Sequence, residues 1–153
     1  MDNDKTVLGM METMKHIHRV RELLFLMISK LDERARLHDL SKLESPEKEI
    51  FGEYTPELAK VEYGSNEYKA LLEKVKPAIE HHYANNSHHS EYWKNGVNDM
   101  TLVDITEMLI DWIAATERVK NGNIRKSIEH NAKRYGISDQ LTQIFENTVK
   151  TYF

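Results

Sequence analysis

The apolar residues of this chain recur with the period of an α-helix, and no run alternates polar and apolar residues as a half-buried strand would. The first apolar stripe has spacings of three, four or seven residues and consists of Val7, Met10, Met14, Ile17, Val20, Leu24 and Leu31. Only six glycines and three prolines interrupt the pattern in 153 residues. The sequence therefore predicts an all-α fold, a helical bundle, whose first helix spans about residues 6–31.

Capping signals divide the rest of the chain into shorter helices. Asp32 is expected to cap a short helix from Arg34 to Leu40. Ser45-Pro46 and Thr55-Pro56 each have the pattern of an N-cap followed by proline at the first helical position. A polar loop is expected over residues 85–99. A helix is predicted from residue 65 to about 83, with a bend at Pro77. The next is predicted from 102 to about 120, after a capping box of Thr101 and Asp104. Two more helices follow, of which the first ends at Gly136 and the second starts after Ser138.

Composition limits the class of protein. A chain of 153 residues, 40% hydrophobic and 30% charged, is expected to form one soluble domain over residues 1–153. The absence of cysteine excludes disulfides and thiolate metal sites, and a net charge of −4 without a basic stripe predicts no specific binding of duplex nucleic acid. No apolar run approaches the roughly 18–20 residues of a membrane span, and the N-terminal residues do not have the pattern of a signal peptide. We therefore expect a cytoplasmic protein, whose oligomeric state stays open, a homo-oligomer included.

Histidine is the residue type whose distribution most needs an explanation. The chain has eight: His16, His18, His38, His81, His82, His88, His89 and His130. Four of them fall within residues 81–89. Imidazole nitrogens combined with carboxylate oxygens are ligands that divalent transition metals prefer. The clustering therefore indicates a candidate metal site.

Helical periodicity separates some of these histidines. The inward stripe of the helix after residue 65 consists of Leu71, Val75, Ala78 and His82. His81 is rotated by about 100° from His82 and should be more exposed. His18 borders the inward stripe of the first helix, where a lone histidine is more often a hydrogen-bonded core residue than a ligand. His88 and His89 lie in the polar loop, where periodicity does not distinguish them.

Two acidic positions are candidates as well. The stretch LHDLSKLE at residues 37–44 places His38 and Asp39 side by side, so that together they supply one nitrogen and one oxygen ligand. Asp111 lies in EMLIDWIAA, in the middle of a predicted helix, where a buried carboxylate costs several kcal/mol unless a cation or strong donors compensate it. A structural explanation stays open, in which Asp111 pairs with an arginine or lies on a solvated edge with Asp104 and Glu107.

The order H…HD…H…H…D resembles the HD-domain superfamily of metal-dependent phosphohydrolases, which has an all-α fold. More narrowly, the motifs HDLSK, YGSNEY, HHYANNSHHSEYW, EMLIDW and NGNIRKSIEHN resemble an uncharacterised HD-like family found in bacteria and phages. This closer resemblance extends over nearly the whole chain, whereas the superfamily pattern consists of a few dispersed residues.

The resemblance implies roles for individual residues. The minimal metal-binding set is matched by His18, His38, Asp39 and Asp111, and two-metal members place additional histidines in the region of His82 and His88. Lys42 matches a lysine that approaches substrate phosphate in cyclic-dinucleotide phosphodiesterases, or substrate oxygen in HD-type di-iron oxygenases. The chain also departs from these subfamilies, because Ser41 stands where they usually have glycine and NNSHHSEYW replaces the Gly-Tyr-Pro signature of cyclic-di-GMP phosphodiesterases.

We therefore expect a metal-dependent phosphohydrolase that acts on a nucleotide or a related small phosphoester through a metal-activated water. Its cofactors would be one or two divalent ions (Mn, Ni, Co, Fe or Mg), and Asp39 and Lys42 would be its catalytic residues. Lys42 would neutralise phosphate charge together with Arg118, which lies about two turns beyond Asp111 on the same helix face. Two alternatives stay open: an HD-type di-iron oxygenase of a small polar substrate, and a non-catalytic helical binding module in which the histidines are structural.

Overall fold

The structure is a computed structural model that describes residues 2–62, 65–118 and 120–153. The described residues form six α-helices: α1 Asp2–Leu37, α2 Glu47–Leu58, α3 Asn66–Asn85, α4 Leu102–Glu117, α5 Ile124–Tyr135 and α6 Asp139–Tyr152. Three short 3-10 helices span Leu40–Leu43, Ser90–Tyr92 and Gly96–Asp99. No strand occurs in these ranges, so the prediction of an all-α fold is confirmed. Tyr63 and Gly64 of the YGSNEY motif lie outside the described residues.

The chain forms two units, one ending at Leu37 and one spanning His38–Phe153. The first unit is α1, which extends further than the predicted helix over about residues 6–31. The predicted cap at Asp32 is wrong, because Asp32 lies inside α1 and pairs with Arg36 at 2.8 Å across one helical turn. The extent of a single domain over residues 1–153 stays a prediction.

The proline signals near α2 had different outcomes. Pro46 occupies the N-cap position and Glu47 is the first helical residue, one position later than the sequence predicts. The predicted start at Thr55-Pro56 is wrong, because Pro56 lies inside α2. The helix ends two residues later, at Leu58, so the missing proline N–H affects only its last turn. Helix α2 packs against α3, and such tertiary contacts can outweigh the local preference for a helix start at Thr55-Pro56.

Side-chain caps set the starts of the later helices. The Ser65 hydroxyl accepts a hydrogen bond from the Tyr68 backbone N–H at 3.0 Å, so α3 begins where predicted. Thr101 and Asp104 form the predicted capping box of α4. At the end of α5, Gly136 has φ +63°, a left-handed conformation that glycine adopts without a steric penalty. These boundaries agree with local side-chain chemistry.

The core of the second unit lies among α4, α5 and α6. Its buried hydrophobic residues are Met100, Met108, Leu109, Ile113, Ile128, Ile137, Phe145 and Val149. Phe145 packs edge-on against Trp112, with ring centroids 5.9 Å apart and an interplanar angle of 87°. The opposite side of α4 carries acidic residues, so this helix connects the core to the site described below.

Across the described parts of the chain, no helix has both the length and the apolar character needed to cross a membrane.

Removing the Phe145 ring tests the position of this core. Phe145 is 2% exposed, so Phe145→Ala is expected to lower the free energy of unfolding by about 3–5 kcal/mol through lost burial and a cavity. Its neighbour Ile144 is 51% exposed, and Ile144→Ala is expected to change stability by roughly 0.5 kcal/mol or less. Chemical denaturation followed by far-UV circular dichroism measures both. Equal effects of the two substitutions would contradict this assignment of the core.

Candidate metal centre

A sharp turn presents His38 and Asp39. Asp39 has φ 58° and ψ 13°, a left-handed conformation that aspartate tolerates better than most non-glycine residues. The 3-10 helix Leu40–Leu43 follows at once, and the Lys42 backbone N–H donates to the Asp39 carbonyl at 2.9 Å. The turn therefore holds the Asp39 backbone in one conformation.

The other histidines come from the end of α3 and the loop after it. His82 lies in the last turn of α3, and His88 and His89 follow within seven residues. The loop is anchored through Ser87, whose hydroxyl donates to Asp104 at 2.6 Å and whose carbonyl accepts from the Trp93 indole at 2.8 Å. This attachment to the start of α4 places the two loop histidines beside the acidic face of that helix.

One oxygen of Asp39 faces two imidazole rings. Asp39 Oδ1 lies 3.2 Å from His82 Nε2 and 3.5 Å from His88 Nε2. A third ring, that of His89, has its Nε2 atom 2.9 Å from His82 Nε2. Asp39 and these three histidines each offer a ligand atom within 4.8 Å of the others.

The second oxygen of Asp39 faces two cationic groups. Asp39 Oδ2 is 2.6 Å from Lys42 Nζ and 3.6 Å from His38 Nε2. His38 Nε2 also lies 3.7 Å from Asp111 Oδ1 on α4. We call the residues that surround Asp39 in this way the histidine–aspartate cluster; its members are His38, Asp39, His82, His88, His89 and Asp111.

Carboxylates outside the cluster bind the other nitrogen of several rings. Glu107 Oε1 is 2.9 Å from His38 Nδ1 and 3.2 Å from His88 Nδ1. Glu47 Oε2 is 2.9 Å from His82 Nδ1. Metal-binding histidines characteristically donate their second ring N–H to a carboxylate, which orients the ring and raises its basicity. Three rings of the cluster have this arrangement, with Nε2 turned inward.

The charges in the cluster are strongly coupled. The pKa of His38 is raised to about 10, mainly by its contacts with Asp111 and Glu107, which outweigh its partial burial. Burial by itself would raise the pKa of Asp39, but the contacts with His82 and Lys42 hold it well below its usual range. For Asp111, burial is likewise outweighed by His38, so that its pKa is lowered. The two aspartates are therefore ionised at neutral pH.

His89 has the opposite tendency from His38. Burial, together with the neighbouring His88 and His82 rings, lowers the pKa of His89 to about 3. His89 is therefore a neutral imidazole at neutral pH, which is the form that binds metal ions, whereas His38 would have to release its proton when an ion binds.

Two polar atoms in the cluster are buried without a hydrogen-bond partner among the described residues, Asp39 Oδ1 and His88 Nε2. They lie 3.5 Å apart, too far for a good hydrogen bond with each other. Buried polar atoms are satisfied in the great majority of cases, so an exception points to a missing partner such as an ion. A cation would satisfy both atoms at once.

The donor geometry fits a divalent ion. Three overlapping groups have ligand atoms within 4.8 Å of one another: Asp39 with His82, His88 and His89; His38 with Asp39 and Asp111; and His38 with His88 and Glu107. Two ligands at about 2.1 Å from one ion are at most about 4.2 Å apart, so only small shifts are required. Nitrogen and carboxylate donors of this kind suit divalent transition metals.

The structure thus brings together most of the ligands predicted from sequence: His38, Asp39, His82, His88 and Asp111. His82 is buried and His81 is partly exposed, as periodicity predicts. His18 lies on α1 in the first unit, and its role as a ligand stays a prediction. Arg118 is the exposed C-cap residue of α4, and no described hydrogen bond or ion pair joins it to the cluster. Its role in substrate binding also stays a prediction.

The structure corrects the partner in the structural explanation for Asp111: a histidine, His38 at 3.7 Å, takes the place of the expected arginine. Asp104 is buried in the capping box, and the Glu107 side chain is only 10% exposed, so they do not form a solvated edge. On this face of α4, Glu107 and Asp111 lie against imidazole rings, and Asp104 accepts from the Ser87 and Thr101 hydroxyls.

Three residues of the site were not assigned from sequence. Glu107 precedes Asp111 by one helical turn, and that spacing was a signal for a shared face. Periodicity does not distinguish His89 from His88, and in the structure both rings belong to one group of possible ligands. Glu47 carries no local signal, because its histidine partners follow 34 and 35 residues later in the chain.

A model of one protein family, described as "Family of unknown function (DUF5662)", matches residues 7–151. The chain belongs to this family. The match includes every residue of the histidine–aspartate cluster, so the site lies inside the part that defines a DUF5662 protein. No curated protein and no solved structure matches the chain.

Neutralising Asp39 tests the centre. Asp39→Asn keeps a residue that tolerates the left-handed backbone and removes the charge at the middle of the cluster. We expect Co²⁺ or Mn²⁺ to bind at least roughly tenfold more weakly, measured by chelator competition and elemental analysis.

Asp99→Asn is the matched control for this variant. Asp99 is exposed, outside the cluster, and accepts hydrogen bonds from Asn95, so its substitution should leave metal affinity unchanged. Equal metal binding by both variants would rule out the cluster as the metal centre.

Proposed function

We propose that this protein is a metal-dependent phosphohydrolase that acts on a nucleotide or a related small phosphoester. The observation that carries the proposal is the convergence of imidazole Nε2 atoms on the Asp39 carboxylate, while buried carboxylates hold the opposite ring nitrogens. Resemblance to the HD superfamily in the order of these residues is a second, independent support.

Two overlapping ligand sets share Asp39. One consists of Asp39, His82, His88 and His89, and the other of His38, Asp39 and Asp111. Their nitrogen content favours Fe, Co or Ni over Mg, which prefers oxygen ligands. A divalent ion held there would supply Lewis acidity, polarising phosphoryl oxygens and lowering the pKa of a water from about 16 toward 7.

The charge of the cluster explains why phosphate binding would depend on a cation. Asp39 and Asp111 have lowered pKa values, and the carboxylates of Glu47 and Glu107 lie directly behind the histidines. Such a concentration of acidic groups repels an anionic substrate unless positive charge offsets it. A divalent ion bound by the same acidic groups would offset their negative charge and so allow an anionic substrate to bind.

Lys42 contributes positive charge from the protein itself. Its ammonium group contacts Asp39 Oδ2 at 2.6 Å, and its side chain is 42% exposed, so it lies at the solvent edge of the cluster. A phosphate approaching from solvent would meet this ammonium first at that edge. We assign Lys42 to substrate binding and Asp39 to the shared ligand position.

A phosphoester panel tests the reaction class. Chelator-treated protein reloaded with Mn²⁺, Co²⁺, Ni²⁺ or Fe²⁺ is expected to release phosphate or nucleoside from at least one nucleotide or phosphodiester, and Asp39→Asn to lose most of that activity because it loses metal. Oxygen consumption by the iron-loaded protein, without hydrolysis of any phosphoester, would favour the oxygenase alternative. If the wild-type protein bound none of these metals, the result would favour the alternative of a non-catalytic helical binding module.

Lys42→Met tests the substrate contact separately from the metal. We expect kcat/KM for a phosphoester to fall by roughly tenfold or more, mainly through KM and most strongly at low salt, with metal content unchanged. Lys60→Met is the matched control, because Lys60 pairs with Glu57 at 2.7 Å with the same three-residue spacing but on an exposed surface. If both variants kept wild-type kinetics, Lys42 would have no role in substrate binding.

A further inference from the structure

Glu47 is a carboxylate with no solvent exposure, and the proposed reaction gives it no direct part. It is the first residue of α2. A buried carboxylate is costly unless donors compensate it. Its two oxygens are used separately: Oε1 lies 2.8 Å from His81 Nδ1, and Oε2 lies 2.9 Å from His82 Nδ1 and accepts from the Ser41 hydroxyl at 3.1 Å.

We propose that Glu47 is a positioning residue that holds His82 with Nε2 directed at Asp39 and thereby sets the metal affinity of the histidine–aspartate cluster. The inference rests on the proposed metal-dependent function, because His82 acts here as a ligand. It assigns to Glu47 an effect on the ligand, with no contact to metal or substrate.

The chemistry of the contact favours one tautomer of His82. An ionised carboxylate only accepts hydrogen bonds, so the 2.9 Å contact with Glu47 favours a proton on His82 Nδ1, an atom that also lies 3.1 Å from Ser41 Oγ and 3.0 Å from Asn86 Nδ2. Nε2 is then the ring nitrogen left to bind a metal ion, and it lies 3.2 Å from Asp39 Oδ1 and 2.9 Å from His89 Nε2. Without the Glu47 acceptor, the His82 ring could rotate and its proton could move to the other nitrogen.

Ser41 is part of the same network. Its hydroxyl donates to Glu47 and accepts from Asn86 Nδ2 at 2.9 Å, and Asn86 also donates to the His82 carbonyl at 2.8 Å. These bonds join the 3-10 helix after Asp39, the start of α2 and the end of α3. Glycine, which the HD subfamilies usually have at the position of Ser41, would lack this donor. Serine at this position therefore gives Glu47 a hydrogen-bond donor that glycine would not.

His81 makes Glu47 difficult to replace by glutamine. The His81 side chain is 40% exposed and occupies Glu47 Oε1, while His82 occupies Oε2. Glutamine keeps one acceptor oxygen and presents N–H donors in place of the other. It can therefore satisfy only one of the two Nδ1–H groups, although its shape is nearly the same as that of glutamate.

The test compares Glu47→Gln with wild-type protein, with Co²⁺ as the probe. We expect roughly 10–100-fold weaker Co²⁺ binding by chelator competition, the usual effect of removing a partner that orients a ligand. The visible absorption of bound Co²⁺ should also change, because that spectrum reports ligand geometry. Glu49→Gln removes an equal charge from an exposed position of the same helix and should match wild type in both measurements.

The outcomes separate this inference from the proposed function. If wild type binds Co²⁺ and Glu47→Gln binds it with the same affinity and spectrum, the positioning role is wrong while the metal centre stands, even if thermal unfolding shows lower stability. If wild type does not bind Co²⁺, the metal centre and this inference both fail. Should Glu47→Gln not fold, Glu47→Asp decides: its shorter reach should weaken Co²⁺ binding several-fold, and unchanged affinity would overturn the proposal.

Discussion

The second unit is organised around the need to stabilise the Asp39 carboxylate. Its side chain is largely enclosed, and imidazole rings from the end of α3 and the following loop surround it together with Lys42. A charge removed from water in this way must be compensated by cations or strong donors. The left-handed turn brings Lys42 and His38 to Asp39, and the anchored loop brings His88 to it, whereas the acidic face of α4 contacts His38 and His88 from the other side. The same requirement makes the cluster attractive to a metal ion.

Helix α4 links this polar site to the hydrophobic core. One face carries Met108 and Ile113 in the core, and another carries Glu107 and Asp111 toward the histidines. Because one rigid helix holds both sets, the acidic groups are positioned by packing far from the site. Glu107 Oε1 lies 2.9 Å from the His38 ring and 3.2 Å from the His88 ring, so one oxygen on α4 contacts both rings.

Local features of the structure could be predicted from sequence wherever a short stretch contains all the interacting groups. The capping box at Thr101 and Asp104, the cap at Ser65 and the glycine at 136 are of this kind. The inward direction of His82 followed from helical spacing within α3. The false cap at Asp32 has the same origin, since a capping residue inside a continuous helix looks no different in sequence.

The sequence by itself determined the helical class, most helix starts and the residue types that a divalent metal prefers, because periodicity and capping are local. Only the tertiary structure decided which acidic groups join the histidines in addition to Asp39 and Asp111. Glu47 meets His81 and His82 because α2 packs against α3, and Glu107 meets His38 across 69 residues of chain. Contacts at such separation depend on how helices pack, and no spacing rule within one helix encodes them.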